Sequence, residues 1–295
     1  RNMVILTLVV SVLSPLVAAV SVINTPDKFG ADVRIISSAC IVIVFYGIIY
    51  IINYIKGKNF FSKKYWIYAL KFNIPLVPHY LSTLILSQSD RIMISKMIGM
   101  AEAGIYGLSH NLAMILNILT TSINNAFAPW IYQRLKEEKY RDISSVCNKL
   151  FLFVAVALAF MMAFSPEVIS ILAPSEYYDA VYVIPPLAIS LYFMFMYQIF
   201  ANVEFYFEKN KFIMLASIFS AGFNVFLNYI FIKKFGFIAA GYTTLVCYIV
   251  YALGHFICMN IVSRKHAAGY KFYDNKTILL MSVIFVVISL GILPL

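Results

Sequence analysis

Residues 66–100 have the sequence WIYALKFNIPLVPHYLSTLILSQSDRIMISKMIGM, and the fold is best predicted from this stretch. It is apolar enough to enter lipid, yet it contains two prolines, Pro75 and Pro78, and the charged pair Asp90 and Arg91. As one helix it would extend about 50 Å, well beyond a hydrocarbon core of about 30 Å. We therefore predict a helix that kinks, tilts or projects beyond the bilayer, with Pro75 and Pro78 as its hinge.

The charged pair in this helix is a candidate functional site, because ionised side chains are costly in lipid. On a helical wheel, His79, Thr83 and Asp90 lie within about 40° of each other. Such a polar stripe can face a water-filled cavity but cannot face acyl chains. The alternative is that Asp90 and Arg91 are anchors at the edge of the bilayer, and the sequence leaves both interpretations open.

The composition indicates a polytopic membrane protein. The chain has 295 residues, of which 62% are hydrophobic and 12% charged, and its mean hydropathy is +0.85. No soluble domain has this composition. The net charge of +10 does not predict a nucleic-acid partner, because the basic residues lie mostly in short loops between apolar runs.

Apolar runs of about 20 residues predict an all-α transmembrane bundle of about nine helices joined by short loops. The predicted spans are 3–23, 33–55, 66–98, 102–128, 142–164, 180–206, 211–232, 237–262 and 276–294. The chain opens and closes within apolar runs, so we expect a fragment of a longer protein.

Basic residues are distributed unequally between alternate loops. Fourteen lie in one set of loops, and only Lys28, Lys233 and Lys234 lie in the other set. The first set is therefore predicted to be cytoplasmic, and the helix at 66–98 to run from inside to outside. The fourteen are Lys56, Lys58, Lys63, Lys64, Arg134, Lys136, Lys139, Arg141, Lys209, Lys211, Arg264, Lys265, Lys271 and Lys276.

Several later helices each carry one polar face. A set of such faces favours a hydrophilic cavity, whereas any single Asn or Ser is more typical of an interhelical hydrogen bond, commonly worth under about 1 kcal/mol. The faces consist of His110, Asn117, Thr121 and Asn124; Ser217, Ser220, Asn224 and Asn228; Thr244, Tyr248, Tyr251 and His255; and Gln198 with Asn202, and Tyr197 with Glu204.

Glu204 lies near the predicted cytoplasmic end of its helix, within the apolar segment NVEFYF. Two interpretations are open. Its carboxylate could extend to the membrane interface, or it could bind a coupling ion.

Motifs typical of enzymes are absent from the sequence. It has no GxSxG, P-loop, GxGxxG or HExxH pattern, and its four cysteines have no CxxC spacing. We therefore expect no enzymatic activity, no metal site and no cofactor, which leaves transport as the leading class of function.

Residues 70–109 contain three spaced motifs, KF-x-x-PL-x-PH at 71–79, SDR-x-MI at 89–94 and G-x-x-x-AGIY at 99–106. With these motifs the segment resembles bacterial oligosaccharide flippases, the O-antigen and capsular-repeat translocators of the multidrug/oligosaccharidyl-lipid/polysaccharide exporter superfamily. The segments RIISSAC at 34–40 and YWIYALKF at 65–72 are also similar to that family.

The resemblance implies two six-helix lobes around a central cavity. Residues 1–55 would be the last two helices of the N-terminal lobe, 66–262 the complete C-terminal lobe, and 276–295 an additional C-terminal helix. About four N-terminal helices would be missing, which puts activity of this chain by itself in doubt.

The implied function is translocation of undecaprenyl-diphosphate-linked oligosaccharide repeat units across the bacterial cytoplasmic membrane by alternating access, for O-antigen, lipopolysaccharide or capsule synthesis. The implied partners are the lipid-linked oligosaccharide and membrane lipids, with a polysaccharide polymerase as a further candidate. Arg91 is the candidate cation for the diphosphate, and Glu204 the candidate for the coupling ion. The candidate cavity residues are Arg91, Asp90, His79, Thr83, His110, Asn117, Asn124, Asn224 and Asn228.

Other functions remain open at this stage. A cation-coupled multidrug exporter of the same superfamily would have the same architecture, and a lipid II flippase would differ only in the headgroup. A membrane-embedded polysaccharide polymerase or acyltransferase, or a structural partner in envelope assembly, would belong to a different class.

Overall fold

The computed structural model describes residues 2–26, 29–57, 61–267 and 269–291. Within these ranges it contains ten α-helices, one 3₁₀ helix and no strand, so the predicted all-α bundle is confirmed. Lys28, Lys58 and the end of the predicted last helix (292–294) lie outside the described residues.

The helices extend further than most of the predicted apolar runs, because polar residues continue them beyond the apolar core. In chain order they are α1 (Asn2–Ile23), α2 (Gly30–Gly57), α3 (Lys63–Asn73), α4 (Leu76–Met97), α5 (Met100–Lys136), α6 (Tyr140–Leu172), the 3₁₀ helix (Ser175–Val183), α7 (Ile184–Tyr206), α8 (Asn210–Phe235), α9 (Ile238–His266) and α10 (Asn275–Gly291).

The stretch at 66–98, predicted as a helix with a kink at Pro75 and Pro78, is divided into two helices, α3 and α4, and the break lies at the first of these prolines. The two helices are separated by a turn at Ile74 and Pro75. Proline has no backbone N–H and its ring crowds the preceding turn, which ends a helix. Pro78 lies in the first turn of α4, where its missing N–H costs nothing. Bending at these prolines during a transport cycle stays a prediction.

The protein is a multi-pass membrane protein. Six segments of the described chain are long and apolar enough to cross a bilayer. They are Ile5–Ile23, Asp32–Gly57, Tyr140–Leu172, Ser175–Tyr206, Asn210–Phe235 and Ile238–His266.

Contacts divide the chain into two compact units, Arg1–Ala69 and Leu70–Leu295. In the first unit α1 packs against α2, and most of their side chains remain exposed. The assignment of the chain to two transporter lobes stays a prediction.

In the second unit, α7 is the central helix. It packs against α5, α6, α9 and α10, and seventeen of its residues are buried. A helix that is apolar around its whole circumference is stable only when other helices surround it. Phe195, Ile199 and Val203 are completely buried there.

Helix α4 lies along α8, which in turn packs against α9. Contacts of His79 with Ser217 and of Asp90 with Asn228 show that α4 and α8 run in the same direction. Gly236, with a φ of 79°, ends α8 in the left-handed conformation that glycine adopts without strain, and α9 returns antiparallel. The polar faces of three helices are thereby turned toward one another.

Candidate functional site

The carboxylate of Asp90 is buried inside the second unit and accepts three hydrogen bonds. Its side chain is 2% exposed. Tyr106 Oη donates to Oδ2 at 2.5 Å, Thr244 Oγ1 donates to Oδ2 at 2.7 Å, and Asn228 Nδ2 donates to Oδ1 at 2.6 Å. Four helices, α4, α5, α8 and α9, therefore meet at one carboxylate.

Further hydrogen bonds extend from these donors. Ser89 donates to Asn224 Oδ1 at 2.7 Å, Asn224 donates to Thr244 Oγ1 at 3.2 Å, and Thr243 donates to Asn228 Oδ1. We call this set the Asp90 network; it consists of Ser89, Asp90, Tyr106, Asn224, Asn228, Thr243 and Thr244. Asn224 and Asn228 are both 0% exposed.

These observations decide between two interpretations of Asp90. An anchor at the edge of the bilayer would be exposed to water or headgroups, but Asp90 is buried by other helices and hydrogen-bonded to them, so that interpretation is wrong for this residue. Asn224 and Asn228 form interhelical hydrogen bonds and do not line an open cavity in this conformation. Their role in substrate binding stays a prediction.

Arg91 follows Asp90 on α4 but has a different environment. It is partly exposed and makes no ion pair with any residue in the described ranges. Its guanidinium packs against Gly107 of α5, where a Cβ atom would lie 3.0 Å from Nη2 and 3.2 Å from Cζ. The absence of a side chain at Gly107 makes room for the cation.

A second buried carboxylate belongs to Glu204 on α7. His255 Nδ1 lies 3.0 Å from Glu204 Oε1, and both side chains are 0% exposed. Glu204 Oε2 and His255 Nε2 have no hydrogen-bond partner among the described atoms. The interpretation that Glu204 extends to the membrane interface is therefore wrong, while its role in ion coupling stays a prediction.

Aromatic rings and a second histidine lie beside this pair. The Tyr251 ring contacts His255 edge-on at 4.7 Å between centroids, and Tyr197 stacks on His255 at 5.3 Å. The Tyr251 hydroxyl lies 2.6 Å from Ser217 Oγ, which lies 2.5 Å from His79 Nδ1. A hydrogen-bonded cluster from α4, α8 and α9 thus lies beside the Glu204–His255 pair.

The remaining candidates lie outside both sites. Thr83 donates to the carbonyl of its own helix at Tyr80, at 2.8 Å. Asn117 is partly exposed and accepts a 3.4 Å hydrogen bond from Thr121. Asn124 accepts a hydrogen bond from Asn202 of α7 at 2.8 Å.

His110 lies one turn beyond Tyr106 on α5. The rings of the two residues stack at 6.4 Å, and His110 Nδ1 is buried without a described partner. Binding of a headgroup by His110, Asn117 or Asn124 stays a prediction.

Sequence reasoning did not include Ser89, Tyr106 and Thr243 among the site residues. Ser89 and Tyr106 lie within the motifs SDR-x-MI and G-x-x-x-AGIY, and Tyr106 precedes His110 by four residues on the same helix face. That spacing was the available signal. For Thr243, adjacent to Thr244, the helical pattern offered none.

In the described part of the chain no group of three or more His, Cys, Asp or Glu side chains could hold a metal ion. The groups that the two sites do present are carboxylates, amides, hydroxyls and imidazoles, with the guanidinium of Arg91 beside them.

Comparison with protein families accounts for most of the chain. A model described as polysaccharide biosynthesis protein matches residues 1–132, and the MatE model matches residues 75–230, just over half of the chain. The chain belongs to the MatE family. The MatE match includes α4, α5, α6 and α7 and most of α8, and with them Asp90, Arg91 and Glu204.

Three curated relatives are similar to this MatE protein. A protein of the Lsg locus of Haemophilus influenzae is 28% identical over 57% of this chain and 44% of its own length. A membrane protein of the same organism is 24% identical over 56% of this chain and 42% of its own. A membrane protein of Methanocaldococcus jannaschii is 25% identical over 77% of this chain and 46% of its own length. The chain spans less than half of the length of these relatives, and no solved structure matches it significantly.

Proposed function

We propose that this chain contributes to a flippase that moves undecaprenyl-diphosphate-linked oligosaccharide repeat units across the bacterial cytoplasmic membrane by alternating access. The observation that carries the proposal is the guanidinium of Arg91. It lies within the second unit, and the adjacent carboxylate of Asp90 is already engaged by three other donors. Among the described residues no acid pairs with Arg91, so its charge is available to an anion.

A diphosphate is the part of this substrate that needs a cation inside the membrane. A guanidinium can donate two parallel hydrogen bonds to phosphate oxygens and keeps its charge in a partly dry site. Hydroxyl, amide and imidazole groups can replace water around the sugars. Among the candidates for that role, His110, Asn117 and Asn124 are partly exposed in this conformation. Asn224 and Asn228 become accessible only when α4, α8 and α9 separate.

The family matches support the choice of substrate class. The model described as polysaccharide biosynthesis protein covers residues 1–132, which include Asp90, Arg91 and Gly107. The relative from the Lsg locus and the two membrane proteins are consistent with a membrane carrier. We propose that the protein is a transporter and not an enzyme, that it uses no cofactor, and that it delivers repeat units to a polysaccharide polymerase.

Export of cationic drugs is the weaker alternative. A cationic substrate needs an accessible carboxylate, but Asp90 is 2% exposed and Glu204 is 0% exposed. Neither carboxylate is accessible in this conformation, and exposing Asp90 would also break its three hydrogen bonds.

We propose that the Glu204–His255 pair binds the coupling ion, as a proton. One carboxylate oxygen and one imidazole nitrogen of the pair have no described partner, so a proton can be accepted without breaking a hydrogen bond. The corresponding test is transport by the Glu204→Gln variant, which should no longer respond to an imposed proton gradient.

The test of the function uses the full-length protein in a cell whose surface polysaccharide depends on it. Arg91→Ala should abolish surface polysaccharide while lipid-linked repeat units accumulate on the inner leaflet. Lys96→Ala is the matched control, because Lys96 is an exposed base near the end of the same helix. That control should leave both quantities unchanged, and Arg91→Lys should restore part of the export.

A second variant displaces the cation without removing it. In Gly107→Ala the new methyl group would occupy the space beside the Arg91 guanidinium, so export should fall although the charge remains. Normal export by both Arg91→Ala and Gly107→Ala would overturn the proposal. Repeat units that reach the outer leaflet but stay unpolymerised would indicate a polymerase, and sensitivity to cationic dyes with normal polysaccharide would indicate drug export.

A further inference from the structure

Helix α3 (Lys63–Asn73) is too short to cross a membrane. Its 11 residues extend about 16 Å, about half of the hydrocarbon thickness. The turn at Ile74 and Pro75 prevents it from continuing into α4 as one rod. It follows α2, which is long and apolar enough to span the bilayer and ends at Gly57. A helix this short, directly after a spanning helix, is expected at the membrane surface on the side where α2 ends.

No residue of α3 is buried by the rest of the chain. Tyr65 is 71% exposed, Trp66 49% and Leu70 48%. Tyr and Trp beside lysines are typical of helices that lie in the headgroup region, where the rings enter the interface and the charged groups stay in water.

The charge of α3 is uniformly positive. It carries Lys63, Lys64 and Lys71, and the sequence contains no acidic residue between Asp32 and Asp90. On a helical wheel the three lysines lie within about 100°, and Lys64 and Lys71 are about 20° apart. None of the three forms an ion pair with a residue in the described ranges.

We propose that α3 lies on the membrane surface and binds the anionic headgroups of phospholipids through Lys63, Lys64 and Lys71. Charge complementarity favours anionic phospholipids as the ligand. A basic segment beside a membrane-spanning helix attracts acidic lipids, whereas neutral lipids carry no net charge that it could bind. The proposal concerns bulk membrane lipid and does not depend on the transported substrate. The positive-inside prediction places this surface on the cytoplasmic side.

The first experiment measures lipid binding by the full-length protein in nanodiscs of phosphatidylcholine with and without phosphatidylglycerol. The variant with Lys63→Gln, Lys64→Gln and Lys71→Gln should lose about fivefold in apparent affinity for phosphatidylglycerol for each lysine removed. The affinity of the wild type should fall with added salt. Replacement of the same three lysines by arginine should preserve binding.

The control variant carries Lys233→Gln and Lys234→Gln at the end of α8. These two lysines carry the same charge but belong to the loops predicted to lie on the other side of the membrane, and Lys233 is engaged by Tyr229 at 3.1 Å. This variant should bind phosphatidylglycerol as the wild type does. Equal binding of neutral and acidic lipid by the wild type, or undiminished binding by the triple Gln variant, would overturn the proposal.

A second measurement locates α3 directly, even if the triple variant is unstable. In a variant whose only tryptophan is Trp66, lipids brominated near the headgroup should quench emission more strongly than lipids brominated near the chain end. The blue shift of the emission should increase with the phosphatidylglycerol fraction. Emission at the wavelength of water-exposed tryptophan, with no quenching by either lipid, would show that α3 does not contact the membrane.

Discussion

Two buried carboxylates in the same helical unit differ in how completely their hydrogen bonds are satisfied. Asp90 accepts three hydrogen bonds, from α5, α8 and α9. Glu204 has a single partner, His255, and its second oxygen has none among the described atoms. Both are almost completely buried, at 2% and 0% exposure.

The comparison shows that burial alone does not define the role of an intramembrane acid. A carboxylate with all donors in place holds its helices together, and displacing any of them leaves a polar group unpaired. A carboxylate with one free oxygen can change its proton or its partner at lower cost. We therefore propose that the Asp90 network holds its helices together in this conformation, and that the Glu204–His255 pair is the one that changes its proton or its partner.

The largest effect is expected from Asp90→Ala. This change removes the acceptor of the Tyr106 and Thr244 hydroxyls and leaves the Asn228 amide only its longer bond to Asn224 Oδ1, so the unfolding free energy should fall by about 3 kcal/mol or more. Thermal unfolding of the purified protein in detergent measures the loss. Asp90→Asn should be intermediate, because one acceptor oxygen remains while its amide N–H groups face other donors. A melting temperature equal to that of the wild type in the Ala variant would show that the network does not hold the helices.

A smaller effect is expected from Glu204→Gln. The amide oxygen can accept the same hydrogen bond from His255, and the replaced oxygen has no described partner, so the cost should be about 1 kcal/mol or less. The same thermal unfolding experiment compares it with Asp90→Ala. If the two variants lose equal stability, the proposed difference between the two carboxylates does not exist.

The smallest effect is expected from Asp274→Ala. Asp274 is a carboxylate that has hydrogen-bond donors but is not buried, so this variant tests whether burial or the number of donors determines the loss of stability. Asp274 precedes α10 and accepts hydrogen bonds from the Thr277 hydroxyl and the Lys276 N–H, but it is exposed to water. Water can replace the carboxylate for both donors, so the melting temperature should fall only slightly.

The pH dependence of this last effect has a defined sign. The hydrogen bond from Thr277 lowers the pKa of Asp274 below its usual value in the folded state. The contribution of the group is therefore present above its unfolded pKa, about 3.9, and is lost as the pH falls through the lower folded value. The difference in melting temperature between wild type and Asp274→Ala should shrink between pH 6 and pH 3. A constant difference would show that the carboxylate charge does not matter there.

Much of the fold was predictable because it depends on local properties of the chain. Apolar runs predicted the helices, and Pro75 marked the point where the predicted helix at 66–98 is interrupted. Periodicity also placed Asn224 and Asn228 on one face of α8, and Thr244 and His255 on one face of α9. These features follow from backbone geometry and side-chain polarity alone.

The partners of the polar residues were not predictable from the sequence. Asp90 is separated by 138 residues from Asn228 and by 154 from Thr244, and a helical wheel does not specify which helices become neighbours. For the same reason the sequence could not decide whether Glu204 reaches the membrane interface or lies in the interior. Its burial depends on the position of His255 in α9.

The sequence by itself determined that this protein is a helical membrane protein with polar faces, basic loops and a proline-interrupted helix, because hydrophobicity and helix periodicity act along the chain. Only the tertiary structure decided that Asp90 is saturated with donors, that Arg91 is left without an acid among the described residues, and that Glu204 pairs with His255. The physical reason is that hydrogen bonds and ion pairs act over about 3 Å, and only packing brings distant segments within that distance.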